Sequence, residues 1–531
     1  MLFFCYTSFS QTVVWQNRLG GDLRNTSYKS LLLTDGNVLI GGRSNSNAFA
    51  DKTENSKGDF DYWLIKTDGN GTTVWDKTLG GSGLEIFYDC IATNDNGALV
   101  VGYSNSPISG DKTENLIGGA YDFWVVRLDE NGSIIWQNTL GGNGNDTPVS
   151  ACLTADGGFL IVGYSDSDSS GDKTENSRGF QDFWVVKLDA NGAVLWDKTI
   201  GGTGNDIASK IIPLSDGNFL ITGYSTSSIS GEKNENSRGG HDFWILKINP
   251  FGNIIWQKTL GGNGFDAPYC AVEFNADAYV IGGESNSNQS GDKTENTRGN
   301  SDYWLVVVNN QGNLIQQKTI GGSQLDNLLA MTKTIDNHLV LCGFSNSPIS
   351  GEKTISNVGL GTDSWLLKVN SSFSSVWQKT YGGNFDEGIN SIFEFPNGDL
   401  CVSGSTGSPL SGSLTEGPVG ETDYWILRLT ASLDTPSYPD KAIFSIAPNP
   451  TNSNVSLQWQ SDGNAITIGL YSPLGQLLSH QIDASGLVAI ELPEANGVYI
   501  LKINTVNDQY YTFKILKCNR ISASIRLVFI F

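Results

Sequence analysis

Tryptophan in the context Asp-x-Trp returns at Trp63, Trp124, Trp184, Trp244, Trp304, Trp365 and Trp425, at intervals of 60 or 61 residues. A second series keeps step with it: Trp15, Trp75, Trp136, Trp196, Trp256, then Gln316 in place of Trp, then Trp377. A fixed period of this length means one supersecondary unit repeated along the chain, each copy burying its apolar face against the next.

The unit is best read between Gly171 and Asp206 and just beyond. Residues 183–188, FWVVKL, are aromatic and β-branched, the composition of a strand. Asp189-Ala190-Asn191-Gly192 supplies the φ > 0 residue that a tight hairpin turn needs, and residues 193–200 return. After the loop GGTGND come a third segment (207–214), a second turn (Ser215-Asp216-Gly217-Asn218) and a fourth segment (219–224). A polar loop, 225–241, leads to the next Asp-x-Trp. No long apolar stretch has a 3.6-residue period, so helix is not expected.

Four short antiparallel strands, repeated seven times, predict an all-β, seven-bladed β-propeller; a β-solenoid would have shorter coils and fewer hairpins per repeat. The order within a blade is the 207–214 type innermost, then 219–224, then the Asp-x-Trp strand, then the Trp-x-Lys-Thr strand outermost. The array starts with an outermost strand (12–19) and ends with an Asp-x-Trp strand (424–429) that lacks one. The N-terminal strand should therefore complete the last blade and leave no open sheet edge.

The motifs GG-x-G-x-D, DGG-F-L-I-V-G-Y-S and D-F-W-V-V-K-L-D-x-N-G resemble the delta-60 and kelch-like repeats of bacterial secreted propellers, over residues 11–430. The resemblance implies the fold and a secreted setting. It names no ligand, because propellers carry many functions.

The chain changes character after the array. Residues 431–442, ASLDTPSYPDKA, read as a linker. Residues 443–517 contain no copy of the repeat and alternate over six short segments, which predicts a small β-sandwich. Pro448-Asn449-Pro450, the segment from Tyr471 to Gly475 and Gln476, the run Gly497-Val498-Tyr499 onward, and the closing Lys514-Ile515-Leu516-Lys517 resemble the type A C-terminal sorting domain of the Bacteroidetes type IX secretion system. On that resemblance Pro448, Asn449, Pro450, Gly475, Gly497, Tyr499 and Lys517 are the sorting-motif residues. The secretion machinery is the implied partner, and the implied destination is the medium or the outer-membrane surface. The family normally ends near Lys517, so 518–531, CNRISASIRLVFIF, form an atypical tail. Residues 1–10, MLFFCYTSFS, read as the end of a signal peptide cleaved near Ser10, or else as an N-terminal β extension. No stretch is long enough for a transmembrane helix.

A net charge of −22 argues against nucleic acid and against docking on anionic lipid. The seven cysteines follow no repeat-matched pairing and include no C-x-x-C, so small packing residues are expected.

Strand alternation places the GG-x-G-x-D loop and the long loop on one face and both tight turns on the other. Irregular sequence therefore gathers on one rim, the usual place for binding. That rim is acidic. Asp51/Glu54, Asp111/Glu114, Asp172/Glu175, Glu232/Glu235 and Asp292/Glu295 recur in the long loops and are the candidate ligand-binding residues. Glu85, Asp146, Asp206, Asp266, Asp326 and Asp386 recur in the GG loops, with Asn25 in the first blade. The sixth long loop keeps Glu352, and the seventh becomes Gly412-Ser413-Leu414-Thr415-Glu416. Two readings stay open. The carboxylates hold a hard cation such as Ca²⁺, or they cap turns and pair with the loop's own lysine. Repetition in every blade favours capping, with no cofactor, because a single site needs one copy. The stretch starting at Asp166 resembles an EF-hand loop but has Ser177 where the twelfth-position Glu belongs.

Catalytic motifs are missing: no G-x-S-x-G, no H-E-x-x-H and no P-loop. His241, His338 and His480 lie at no ligand spacing. Aromatic residues on the Asp-x-Trp strands read as blade-to-blade core. The functional expectation is a surface binding or structural module exported by type IX secretion, with a glycan or envelope protein as partner. The alternative is a surface polysaccharide hydrolase or lyase with its site on the loop-rich face. A residue unique to one blade and facing the central channel would separate the two, and His241 is one candidate.

Overall fold

The computed structural model describes residues 11–430, 444–447, 451, 453–459, 466–472, 476–483, 485–504 and 510–517. The N-terminal ten residues, the linker, the 518–531 tail, and Pro448, Asn449, Pro450 and Gly475 lie outside the described residues. The chain divides into two compact units, Met1–Ser432 and Leu433–Phe531.

The first unit is a seven-bladed propeller. Its strands form seven four-stranded antiparallel sheets. The third blade runs Asp146–Leu153, Phe159–Ser165, Asp182–Leu188 and Val194–Ile200, paired in that order from the axis outward. The last blade is built differently. Glu387–Glu394, Leu400–Thr406 and Asp423–Leu429 come from the end of the array, and its outer strand is Val13–Leu19. Arg18 lies opposite Trp425 and Leu19 opposite Tyr424 in that pairing.

The Asp-x-Trp strand is buried along its whole length because both its faces meet neighbouring blades, which is why it reads as an unbroken apolar run. In six of the seven such strands the tryptophan packs on an aromatic ring of the preceding blade; before Trp425 that position is Ser364. The pairs are Tyr62–Trp124, Phe123–Trp184, Phe183–Trp244, Phe243–Trp304 and Tyr303–Trp365, with centroids 4.7–5.0 Å apart. Tyr424–Trp63, at 4.7 Å, carries the chain of rings across the closure. Each buried indole also donates to an outer-strand side chain, as Trp184 Nε1 does to Asp197 at 3.0 Å and Trp425 Nε1 to Gln16 at 3.0 Å. These rings are interior and unavailable to a ligand.

The second tryptophan series fastens the turn face. Trp136 Nε1 donates to Ala190 O in the next blade's turn at 3.1 Å, with its ring against Gly192, whose φ of +90° excludes most side chains. Gln316 breaks the tryptophan pattern but keeps the bond, donating to Ser371 O at 3.2 Å. The five cysteines among the described residues are free and buried.

In the second unit, Phe444–Ala447, Asn454–Trp459 and Leu487–Glu491 form one sheet. Leu477–Asp483, Ile466–Tyr471, Gly497–Asn504 and Tyr510–Lys517 form the other. Val455, Leu457, Ile468, Leu470, Leu501 and Ile515 fill the core of this sandwich. Tyr499 donates to Ala495 O at 2.8 Å, and the buried Lys517 ammonium donates to Pro493 O at 2.7 Å.

Candidate functional site

The long-loop carboxylates lie over the outer strands, and each is held by backbone amides. Asp51, Asp111, Asp172, Glu232 and Asp292 accept from Gly20, Gly80, Gly141, Gly201 and Gly261 at 3.0–3.3 Å. Glu54, Glu114, Glu175, Glu235 and Glu295 accept from the amides of Thr78, Thr139, Thr199, Thr259 and Thr319 at 2.5–3.2 Å. Cations of the same or adjacent loops take most of what is left. Arg178 spans Glu175 and Glu232, and Arg238 meets Asp292 at 2.8 Å. Burial raises the pKa of Asp51, Asp172 and Asp292. In Glu175, Glu235 and Glu295 burial pulls the same way, but the hydrogen bonds and paired cations outweigh it and the net shift is down. Among the described residues no group of three or more His, Cys, Asp or Glu side chains is placed to hold a metal ion.

The GG-loop acids are fully buried and inward of these. Asp146 accepts from Gly142 N at 2.8 Å and Ser167 Oγ at 3.0 Å. Asp122, the Asp of the preceding blade's Asp-x-Trp strand, lies close by, and a Cβ on Gly141 would collide with both carboxylates. In the seventh blade the equivalent acid is Glu387, not Asp386. Glu387 accepts from Gly383 N at 2.6 Å and Thr406 Oγ1 at 2.8 Å, while Asp386 accepts from Thr362. Counted from the paired glycines, Asp386 stands one residue short of the buried position.

The seventh blade also changes its cation. In the other six, a long-loop lysine (Lys52, Lys112, Lys173, Lys233, Lys293, Lys353) is buried beside the acid pair. Lys173, for example, donates to Ser167 O at 2.9 Å. The seventh loop has buried Leu414 there. Its cation comes from the N-terminal strand: Arg18 meets Asp423 at 2.7 Å and donates to Ser408 O at 2.6 Å.

Among the described residues, the innermost strands vary most in chemistry from blade to blade. Every innermost strand carries a β-bulge at the same place, at Tyr28, Tyr88, Val149, Ser209, Tyr269, Leu329 and Asn390. The next residues are Lys29, Asp89, Ser150, Lys210, Cys270, Ala330 and Ser391. A bulge bends its strand and re-aims side chains. Here the seven bulges line a cavity of about 170 Å³ to which all seven blades contribute. Asp89, 3% exposed, accepts from Lys210 Nζ at 2.9 Å and Ser150 Oγ at 2.9 Å. Burial raises its pKa, but Lys210 and Lys29 lower it further, and the net shift is down.

On the loop-rich side half-buried aromatic rings, termed its mouth, flank the cavity's lining tyrosines. Tyr103 stacks on Tyr121 at 4.5 Å and neighbours Tyr88 at 6.1 Å. The guanidinium of Arg43 lies over Tyr28 and Phe60. His241 packs between Tyr224 and Phe265, at 5.1 and 4.8 Å, and burial lowers its pKa. His241 thus belongs to this mouth rather than to the cavity. His338 lies 3.3 Å from Asp336, and His480 is on an exposed strand of the second unit. The channel residues escaped sequence reading because that reading followed what recurs. The signal was the opposite one: position 29 and its counterparts are where the blades disagree.

Residues 445–517 match the secretion system C-terminal sorting domain. The second unit is a type IX sorting domain. Proteins that carry this domain are exported through the outer membrane, which makes this a secreted or cell-surface protein. Over 421 residues the chain is 22% identical to Regulatory protein FlaEY of Caulobacter vibrioides, an alignment spanning 71% of this chain and 43% of that protein. The chain thus spans less than half the length of that relative. Among solved structures, the Pan2 WD40 domain of Neurospora crassa matches at 9% identity and TM-score 0.41, over 78% of this chain and 91% of that one. A protein of unknown function from Dyadobacter fermentans matches at 11% and 0.40, over 79% and 99%. The propeller assignment itself rests on the strand pairings. Among the described residues no helix is long and apolar enough to cross a membrane.

Proposed function

We propose that the protein is an exported binding module whose ligand, a glycan or an exposed segment of an envelope protein, enters the propeller channel through the aromatic mouth on the loop-rich face. The observation that carries this reading is the contrast between rim and axis. The rim carboxylates are spent on backbone amides and neighbouring cations, whereas the axis gathers tyrosines, hydroxyls and lysines that differ from blade to blade. Half-buried tyrosines suit sugar and peptide ligands, since one end is apolar and the other polar. Binding is favoured over glycoside hydrolysis because that chemistry usually needs two carboxyl groups flanking the scissile bond. Among the described residues Asp89 is the one carboxylate lining the cavity, and it is committed to Lys210 and Ser150.

The test is a glycan and peptide array probed with the full chain and with a Tyr103→Ala, Tyr121→Ala variant. Specific binding lost in the variant is expected. Binding that the variant keeps in full, or turnover of a bound polysaccharide, would overturn the reading. Export is tested separately: a chain ending at residue 442 should fold its propeller and stay in the periplasm, and its normal display at the surface would refute the sorting role.

A further inference from the structure

The structure assigns the central cavity to a carboxylate: we propose that Lys29 and Lys210 together hold the acidic group of a ligand that reaches the axis through the aromatic mouth. The proposal deepens the binding reading above and rests on it for the route of entry.

The cavity has a local excess of positive charge in a chain whose net charge is −22. Its lining carries two ammonium groups and one carboxylate. That carboxylate is nearly saturated. Asp89 Oδ2 accepts from Lys210 Nζ at 2.9 Å, Ser150 Oγ at 2.9 Å and Ala151 N at 3.4 Å, and Oδ1 accepts from Cys90 N at 3.0 Å. Lys29 comes within 3.9 Å of Oδ1, close enough to feel the charge and too far for a hydrogen bond. Its Nζ makes no hydrogen bond to another described residue, and 30% of the side chain stays open at the cavity it lines. Lys210 likewise keeps 24% of its side chain open. Two cations are therefore aimed into one small space with one shared counter-charge. The like charge of Lys210 is the largest influence on Lys29 and, with burial, lowers its pKa, although Asp89 opposes the shift.

A single negative charge between the two lysines makes the cluster neutral, relieves the repulsion and gives Lys29 its missing partner. The cavity, at about 170 Å³, has room for a carboxylate between the two lysines. The tyrosines at the mouth would meet the neutral body of the same ligand, so the class indicated is an acidic sugar or another small carboxylate attached to a polar, ring-sized group.

The experiment measures binding of sodium glucuronate, glucose and sodium acetate to the full chain by calorimetry, at constant ionic strength. Wild type, Lys29→Met, Lys29→Arg and the Tyr103→Ala, Tyr121→Ala variant are compared. Lys29 makes no hydrogen bond to the described protein, so Lys29→Met should fold, and its melting curve checks that. Glucuronate is expected to bind at least about tenfold tighter than glucose, with the preference lost in Lys29→Met and kept in Lys29→Arg; tenfold corresponds to about 1.4 kcal/mol. Acetate binding as tightly as glucuronate, with no effect of the tyrosine changes, would sustain the carboxylate site and overturn the mouth. Glucose binding as well as glucuronate, or a folded Lys29→Met that binds glucuronate like wild type, would overturn the carboxylate site. If the tyrosine variant then loses glucose, the mouth stands alone. No binding of any of the three probes would also overturn it.

Discussion

Ring closure hangs on a swapped ion pair that can be tested by exchanging it back. Arg18 and Asp423 are 1% and 0% exposed, and Arg18 occupies the strand position that in other blades carries a threonine facing the loop lysine. Arg18→Thr leaves Asp423 buried without its cation. Breaking a buried pair from one side costs about 3–5 kcal/mol. At an unfolding entropy of about 2.1 cal/mol/K per residue over roughly 420 residues, Tm should fall by about 3–6 °C. Leu414→Lys alone puts a second cation next to Arg18 and should also destabilise. The double variant Arg18→Thr, Leu414→Lys rebuilds the arrangement of Lys233 and Thr259, which are 2.6 Å apart in the fourth blade, and should regain at least half of the loss. Melting is followed by circular dichroism on the full chain, with limited proteolysis reporting release of the N-terminal strand. A single variant melting within about 1 °C of wild type, or a double variant no better than Arg18→Thr, would refute the exchange.

Two more outcomes concern the rim carboxylates and the buried acids inward of them. Asp172 and Glu175 are engaged by backbone amides, so millimolar Ca²⁺ or EDTA should leave Tm unchanged, and Asp172→Ala with Glu175→Ala should cost about 2 kcal/mol with or without metal; a calcium-dependent shift of several degrees would contradict this. Burial raises the carboxyl pKa of Asp122 to about 7 and of Asp182, Asp302 and Asp363 to about 6, above the ordinary value of 3.8. The folded chain then keeps protons that the unfolded chain has released. The stabilisation is complete below about pH 4 and is lost as pH rises through 6 to 7, so Tm should be higher at pH 5.5 than at 7.5. Asp122→Asn, beside Asp146 and Lys112, should flatten that slope; a Tm that rises with pH over this interval would contradict it.

The fold was legible because the residues that specify it recur. Seven Asp-x-Trp strands each meet the same neighbours, so one reading of FWVVKL served for all seven. The register of the GG-loop acids was legible except in the seventh blade, where Asp386 sits one residue before the buried site and Glu387 fills it. The Arg18–Leu414 exchange was not legible, since its partners stand at opposite ends of the array and neither looks unusual alone. The channel was hidden for a different reason. Lys29, Asp89 and Lys210 come from three blades and converge only once the ring is closed, and nothing in the local sequence of any one blade announces a site.

The bulge common to all the innermost strands separates two kinds of inheritance. A change at Trp184 disturbs its own strand and the blade beside it, because that side chain serves both. A change at a bulge position meets the channel on one side and has no ladder partner. The axis is therefore a ring of seven letters, some paired across it as Asp89 is with Lys210, mounted on a frame that need not be rewritten. Relatives with the same tryptophan rhythm and a different seven-letter word at these positions would keep the architecture and exchange the ligand. Drift at the axis, set against constancy everywhere else, would mark recognition as the trait under selection.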